Sequence, residues 1–119
     1  MDSVTIYHNP RCSKSREALR LLEEAGCQPK VVDYLKTPLS SATLAELSRL
    51  LGGDPRQLLR EQEPEYSALF LADLTLDERH LFEAIQAHPR LLQRPIVVMA
   101  GRAVIARPPE LALTMLPVN

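Results

Sequence analysis

The chain has 119 residues, of which 45% are hydrophobic, and its formal net charge is −1. This length and apolar content suit one packed domain over residues 1–119. The balanced charge excludes the strongly basic field of a nucleic-acid-binding protein, and no long apolar or basic amphipathic stretch predicts a membrane partner. We therefore expect a cytoplasmic domain. We also expect a monomer, an expectation that does not follow from the composition.

The first part of the chain predicts a parallel β–α–β unit. Residues 4–7 alternate between apolar and polar side chains and predict a strand, and an apolar stripe over residues 13–25 predicts a helix that ends at Gly26. Residues 30–34 are short and β-branched, and predict a second strand. Two strands joined by a helix in this order pair in parallel.

Helical patterns dominate the next part of the chain, from about residue 40 to residue 90. Ser40 or Ser41 can cap a first helix, and a short second helix ends near Arg60. Residues 61–72 are acidic and only weakly periodic, which predicts packed turns. These segments together form a helical insertion.

A capping-box pattern from Thr75 to Glu78 predicts the last helix of this insertion, which ends at His88. Apolar runs at residues 95–99 and 103–106 then predict a β-hairpin, and a final helix follows. A parallel strand pair, a helical insertion, a hairpin and a closing helix form a thioredoxin-like order. We therefore expect an α/β fold with a mixed sheet of about four strands.

Cys12 lies where the first predicted strand ends and the first predicted helix begins. The free N–H groups of a first helical turn and the positive end of the helix dipole stabilise a thiolate, and Arg11, Lys14 and Arg16 add positive charge nearby. The same N–H groups can bind an oxyanion. The sequence therefore predicts a nucleophilic cysteine that acts on a small anion.

Ser15 occupies the position at which thioredoxin-like oxidoreductases of the Cys-x-x-Cys type carry their second cysteine. The other cysteine, Cys27, is separated from Cys12 by a predicted helix of about 22 Å, whereas a disulfide needs Cα atoms within about 7 Å. The site is then monothiol, and Cys27 is a buried or helix-end thiol. A turnover that oxidises Cys12 needs an external thiol such as glutathione.

Three arginines lie at the ends of predicted elements instead of on helix faces: Arg60, Arg94 and Arg107. They fit a shared anion site or three solvated side chains equally well. His8 lies just ahead of the Cys12 loop, where it either tunes the thiolate or only hydrogen-bonds the loop.

Two further residues have alternative interpretations. Ser15 either donates a hydrogen bond to the sulfur of Cys12 or is a polar residue of the first helical turn. Pro95 precedes a predicted buried strand, where a cis peptide is an option although trans is commoner. His80 and His88 show no metal-ligand pattern with Cys12 and are interpreted as surface or helix-end residues.

Five short motifs carry a resemblance to a known family. They are HNPRCSKSR at residues 8–16, YLKTP at 34–38, LLR at 58–60, RPIVV at 94–98 and RP at 107–108. With these motifs in this order, the chain resembles the ArsC family of glutaredoxin-linked arsenate reductases over essentially its whole length. It is most similar to the compact members of the YfgD type. Five motifs in matching order are far more specific than Cys-x-x-Ser alone.

The resemblance implies that Cys12 attacks arsenate to form a cysteine-bound thioarsenate. The other implied site residues are Arg60, Arg94 and Arg107, which hold the oxyanion, and His8, Ser15 and cis Pro95, which lie beside the thiolate. Glutathione then attacks the adduct, glutaredoxin reduces the mixed disulfide, and arsenite is released. No metal or bound organic cofactor is implied.

Two other functions are compatible with parts of this pattern. Ser13 and Lys14 are shared across a wider superfamily that includes Spx-type regulators, which bind RNA polymerase. Many such regulators carry Cys-x-x-Cys as a redox switch, and Ser15 removes it; they also need not keep all three oxyanion arginines. A monothiol enzyme that removes glutathione from proteins would have no use for an oxyanion cage. The pattern therefore favours the arsenate reductase.

Overall fold

The computed structural model describes residues 3–116, which form four strands and a series of helices. The strands are β1 Val4–His8, β2 Lys30–Asp33, β3 Ile96–Met99 and β4 Arg102–Ile105. The α-helices are α1 Ser13–Glu24, α2 Ser41–Leu50, α3 Pro64–Ala68 and α4 Glu78–Ala87, and 3-10 helices cover Pro55–Leu58, Pro89–Leu91 and Pro109–Met115. None of the helices within residues 3–116 has the length and apolar character needed to cross a membrane.

The chain forms two compact units. One unit combines the residues up to Thr37 with those from Arg94 onward, and the other is Pro38–Gln93. The first unit contains the whole described sheet, and the second contains α2, α3 and α4.

The sheet of the first unit has the strand order β2-β1-β3-β4. β1 and β2 pair in parallel, while β3 is antiparallel to both β1 and β4. The predicted α/β fold with a four-stranded mixed sheet is therefore confirmed, as are the parallel pair and the hairpin.

The core of the first unit lies between the sheet, α1 and the last 3-10 helix. In β1, Val4 and Ile6 are buried and alternate with half-buried residues, and in α1 Ala18 and Leu22 present one buried face at i, i+4 spacing. The buried residues of this cluster are Val4, Ile6, Ala18, Leu22, Val97, Ala106, Ala112 and Met115. Burial of each larger side chain contributes about 1.5–3 kcal/mol, and this packing holds α1 against the sheet.

Strand order brings distant parts of the chain to one edge of this sheet. Tyr7 lies opposite Ile96, and Ile96 lies opposite Ile105. The chain therefore leaves β1, enters β3 and leaves β4 at the same edge of the sheet, which is formed by the ends of the strands and not by an outer strand. The N–H of Ala106 also donates to the carbonyl of Pro95 at 2.9 Å, which holds the segments next to β3 and β4 together beyond the paired strands.

The second unit is held by buried apolar side chains and capped helices. Ser40 caps α2 by accepting a hydrogen bond from the N–H of Thr43 at 3.1 Å. A single antiparallel bridge pairs Leu59 with Leu92. The buried core residues here are Leu44, Leu47, Leu58, Leu59, Leu71, Leu81, Phe82, Ala84, Ile85, Leu91 and Leu92.

Two predicted details of this unit are wrong. Residues 61–72 are not only packed turns, because they contain the short helix α3, which Pro64 begins. The second detail is the start of α4. The side chain of Asp77, and not that of Thr75, caps α4 by accepting from the N–H of His80 at 2.9 Å. Thr75 instead donates its hydroxyl to Asp73 at 2.7 Å in the preceding turn. Asp is at least as good an N-cap as Thr, so the helix begins two residues later than the capping box predicts.

Candidate active site

Cys12 is the residue at which the loop after β1 becomes α1. Its backbone is extended, with φ −95° and ψ 122°, and its own N–H donates to the carbonyl of Asn9 at 3.0 Å. Its carbonyl accepts from the N–H of Arg16 at 3.0 Å, which is the first bond of the helix. The thiol is therefore placed at the open N-terminal end of α1, partly exposed to solvent.

The surroundings of Cys12 favour the thiolate. Burial is the largest single influence and raises the pKa of this thiol, but the backbone N–H groups of Ser15 and Lys14 and the side chain of Arg94 bring the pKa below its ordinary value. The main-chain donors of a first helical turn thus act as the sequence predicts. The side-chain contribution comes from Arg94, which is remote in the sequence.

Arg107 also approaches the thiol. Its Nη1 atom donates to Cys12 Sγ at 4.0 Å and to the carbonyl oxygen of Arg94 at 3.2 Å. The first unit therefore brings two arginines and the thiol to the sheet edge at which β1 and β4 end and β3 begins. The arginines and the free N–H groups of α1 can together bind a small oxyanion.

His8 and Ser15 form a buried pair beneath the loop. His8 Nδ1 and Ser15 Oγ are hydrogen-bonded at 2.7 Å, and Ser15 Oγ also accepts from the N–H of Asn9 at 3.0 Å. Burial is the main cause that lowers the pKa of His8, and the charge of Arg16 lowers it further while Asp33 opposes the shift. His8 and the Ser15 hydroxyl thus hold the loop, and Ser15 faces the sulfur through its backbone N–H.

Asn9 is a site residue that the sequence analysis did not single out. It is buried, its Oδ1 accepts from the N–H of Arg11 at 2.9 Å, and its carbonyl accepts from Cys12. These bonds shape the turn that leads into α1. The available signal was the pair Asn9-Pro10, because Asn before Pro favours a turn whose side chain bonds the backbone two residues later.

The remaining predicted site residues lie as follows. The peptide bonds preceding Pro95 and Pro108 are both cis. Arg60 belongs to the second unit, where its side chain is 13% exposed and its Nε atom lies 3.6 Å from Glu63 Oε2. The first unit thus assembles Cys12, Arg94, Arg107, His8, Ser15 and Pro95, without Arg60.

Neither cysteine is in a disulfide: Cys12 and Cys27 are both free. Cys27 packs against the core of the first unit, and burial raises the pKa of its thiol. Across residues 3–116, no group of three or more His, Cys, Asp or Glu side chains is placed to hold a metal ion.

Comparison with known proteins identifies the family. A model described as the ArsC family matches residues 7–115. The chain is 53% identical over 111 residues to YfgD of Escherichia coli strain K12, covering 92% of this chain and 93% of that protein. It is 46% identical over 115 residues to a protein of Haemophilus influenzae named arsenate reductase, covering 96% and 99%.

Comparison with solved structures leads to the same family. A structure described as arsenate reductase from Vibrio cholerae superposes with a TM-score of 0.92 at 48% identity, covering 96% of this chain and 98% of the other. A putative arsenate reductase from Yersinia pestis gives a TM-score of 0.89 at 52% identity, covering 94% and 99%. The predicted thioredoxin-like fold is confirmed by this agreement, and the chain belongs to the ArsC family.

Proposed function

We propose that the chain is an arsenate reductase whose nucleophile is the Cys12 thiolate. The observation that carries this proposal is the convergence of Arg94 and Arg107 on a thiol whose pKa is lowered. A nucleophile and an anion site coincide there. Several relatives that match nearly the whole chain are named arsenate reductase, which supports arsenate as the anion.

The first chemical step forms a sulfur–arsenic bond. The Cys12 thiolate attacks arsenate, one As–O bond breaks, and that oxygen leaves as water after taking up two protons. Charge on the remaining arsenate oxygens is stabilised by Arg94, by Arg107 and by the N–H groups of the first turn of α1. The family resemblance adds Arg60 to this set.

Reduction then requires thiols from outside the chain, because Ser15 leaves Cys12 without a second cysteine beside it. The glutathione thiolate attacks the Cys12 sulfur of the adduct, the S–As bond breaks, and its electron pair stays on arsenic, which is thereby reduced. Glutaredoxin then reduces the mixed disulfide between Cys12 and glutathione. Over the whole cycle two thiols lose two electrons and become a disulfide, arsenic falls from the +5 to the +3 state, and arsenite and water are released. The chain itself holds the oxyanion and supplies the nucleophile.

The proposal places this reaction in the cytoplasm, where thiols are kept reduced, and assigns it to a monomer. A Spx-type regulator and a monothiol deglutathionylase are not favoured, since several of the similar proteins are named arsenate reductase and two arginines lie beside the thiol, where they can bind an anion.

A coupled assay tests the function. Purified protein with arsenate, glutathione and glutaredoxin should oxidise NADPH through glutathione reductase, and Cys12→Ser should abolish this turnover. Cys27→Ser is the matched control and should retain activity, because Cys27 packs against the core away from the helix start. Turnover of the wild type no greater than that of Cys12→Ser would contradict the proposal. Omitting glutaredoxin in a parallel assay measures whether glutathione alone suffices.

A further inference from the structure

Glu63 bridges two arginines in the second unit. Its Oε2 atom lies 3.6 Å from Arg60 Nε, and its Oε1 atom lies 3.4 Å from Arg90 Nε. Arg90 continues the network through its Nη2 atom, which is 3.3 Å from Glu65 Oε1. The side chains of Arg60 and Glu63 are only 13% and 15% exposed, so their pair is screened by solvent much less than a surface ion pair.

The backbone fixes both partners of this pair. The N–H of Arg60 donates to the carbonyl of Leu91 at 2.7 Å, and the N–H of Glu63 donates to the carbonyl of Arg60 at 3.3 Å. The Glu63 carboxylate meets the guanidinium of Arg60 at its buried Nε edge.

The terminal nitrogens of Arg60 differ from its Nε edge. Arg60 Nε is buried and has no hydrogen-bond partner within residues 3–116, so its contact with Glu63 is an ion pair without a hydrogen bond. Four of the five N–H donors of a guanidinium belong to its two terminal nitrogens, and a planar fork of this kind fits an oxyanion. With its Nε edge against Glu63, Arg60 keeps these four donors for an anion.

A carboxylate beside an anion-binding arginine could instead weaken that arginine by neutralising it. Here Glu63 forms ion pairs with both Arg60 and Arg90, so its negative charge does not neutralise Arg60 alone. If Glu63 orients Arg60, removal of its carboxylate should weaken anion binding. If Glu63 mainly neutralises Arg60, the same change should strengthen anion binding, so the direction of the change in affinity distinguishes the two roles.

We propose that Glu63 is a positioning residue, which orients Arg60 so that its terminal nitrogens bind the substrate oxyanion. This inference rests on the proposed function, which assigns Arg60 to arsenate. Arg90 holds the far side of the Glu63 carboxylate and keeps it in place.

The test compares Glu63→Gln with Glu65→Gln in the coupled assay. Both variants remove one carboxylate from Arg90, but only the first removes a carboxylate from Arg60. Glu63→Gln should raise the KM for arsenate about tenfold with a much smaller change in kcat, whereas Glu65→Gln should change KM by less than about twofold. In an Arg60→Gln background, Glu63→Gln should have no further effect on KM. If Glu63 had only a general structural role, its substitution would still change KM in this background.

A lower KM in Glu63→Gln overturns the inference, because it would indicate that Glu63 neutralises Arg60. An unchanged KM also overturns it, because it would indicate that Glu63 has no role in arsenate binding. Should Glu63→Gln fail to fold, Glu63→Asp and Glu65→Asp replace the pair. Glu63→Asp draws the carboxylate back by one methylene and should raise KM above that of Glu65→Asp, and equal values overturn the inference.

Failure of the proposed function is recognised separately, as absence of turnover in the wild type. Calorimetric titration of arsenate into Cys12→Ser protein then decides the role of Glu63 without turnover. In the Cys12→Ser background, the further substitution Glu63→Gln should weaken arsenate binding about tenfold relative to the further substitution Glu65→Gln. Equal binding by the two double variants overturns the inference.

Discussion

The reactivity of Cys12 is set by opposing influences on a single thiol. Burial raises its pKa, while two backbone N–H groups and Arg94 lower it, with a net shift downward. The backbone donors come with the helix start and are present in any variant that folds. Arg94 is therefore the influence that a substitution can remove.

Arg94→Gln should raise the pKa of Cys12. Because the wild-type pKa is lowered, the thiolate persists to a lower pH than in a free thiol, and loss of Arg94 shifts this transition back toward higher pH. The measurement is the rate of alkylation by iodoacetamide as a function of pH. The control is Arg102→Gln at the start of β4, opposite Met99 and thus at the other edge of the sheet. Coincident profiles for the wild type and Arg94→Gln would contradict the role of Arg94.

For single residues, the sequence predicts where in the fold a residue lies better than it predicts which residues it contacts. Cys12 at a helix start was predictable because the change from strand to helix periodicity is local. The partners of Ser15 were not, since its hydroxyl meets His8 and Asn9 only after the loop closes. The contact between Arg107 and Cys12 joins residues 95 positions apart and depends on the sheet.

At the scale of elements, the start of α4 shows how neighbouring polar residues compete for one role. Thr75, with Glu78 three residues later, matches a capping box, but Asp77 is the residue that caps the helix. A local pattern can thus identify a helix start and still misplace it by two residues, because several side chains compete for the same free N–H groups.

Asp77→Ala should destabilise the second unit by about 1 kcal/mol, the usual cost of losing an N-cap. The lost bond is the one from the N–H of His80 to Asp77 Oδ1. Equilibrium unfolding in urea measures the change. Thr75→Ala is the matched control, since its hydroxyl bonds only the exposed Asp73 turn, and it should cost less. A larger loss for Thr75→Ala than for Asp77→Ala would favour the capping box.

At the scale of the whole molecule, the site depends on strand order. Because β3 lies antiparallel between β1 and β4, the end of β4 returns to the edge where β1 ends. The element types and the hairpin were predictable from periodicity and turn residues. The pairing of β1 with β3 was not, since two strands about ninety residues apart leave no local pattern that predicts their contact. Arg94 and Arg107 reach the thiol through this pairing.

Arg60 belongs to the second unit, and its assignment to the oxyanion rests on the resemblance of its motif. A double-mutant cycle with Arg60→Gln and Arg107→Gln measures whether both residues act on the same bound arsenate. Each substitution should raise the KM for arsenate by about tenfold or more, as expected for a hydrogen bond to a charged group. If both arginines bind one anion, the two effects should deviate from additivity by at least about 0.5 kcal/mol.

The control cycle pairs Arg60→Gln with Arg102→Gln, which removes a positive charge at the other edge of the sheet. Its effects should add within about 0.3–0.5 kcal/mol, because sites without shared partners are independent. Equal additivity in the two cycles would mean that Arg60 does not share a ligand with Arg107. The anion site would then consist of Arg94, Arg107 and the N–H groups of α1. Glu63 would in that case orient an arginine with some other role, so this cycle also bears on the ion-pair network of the second unit.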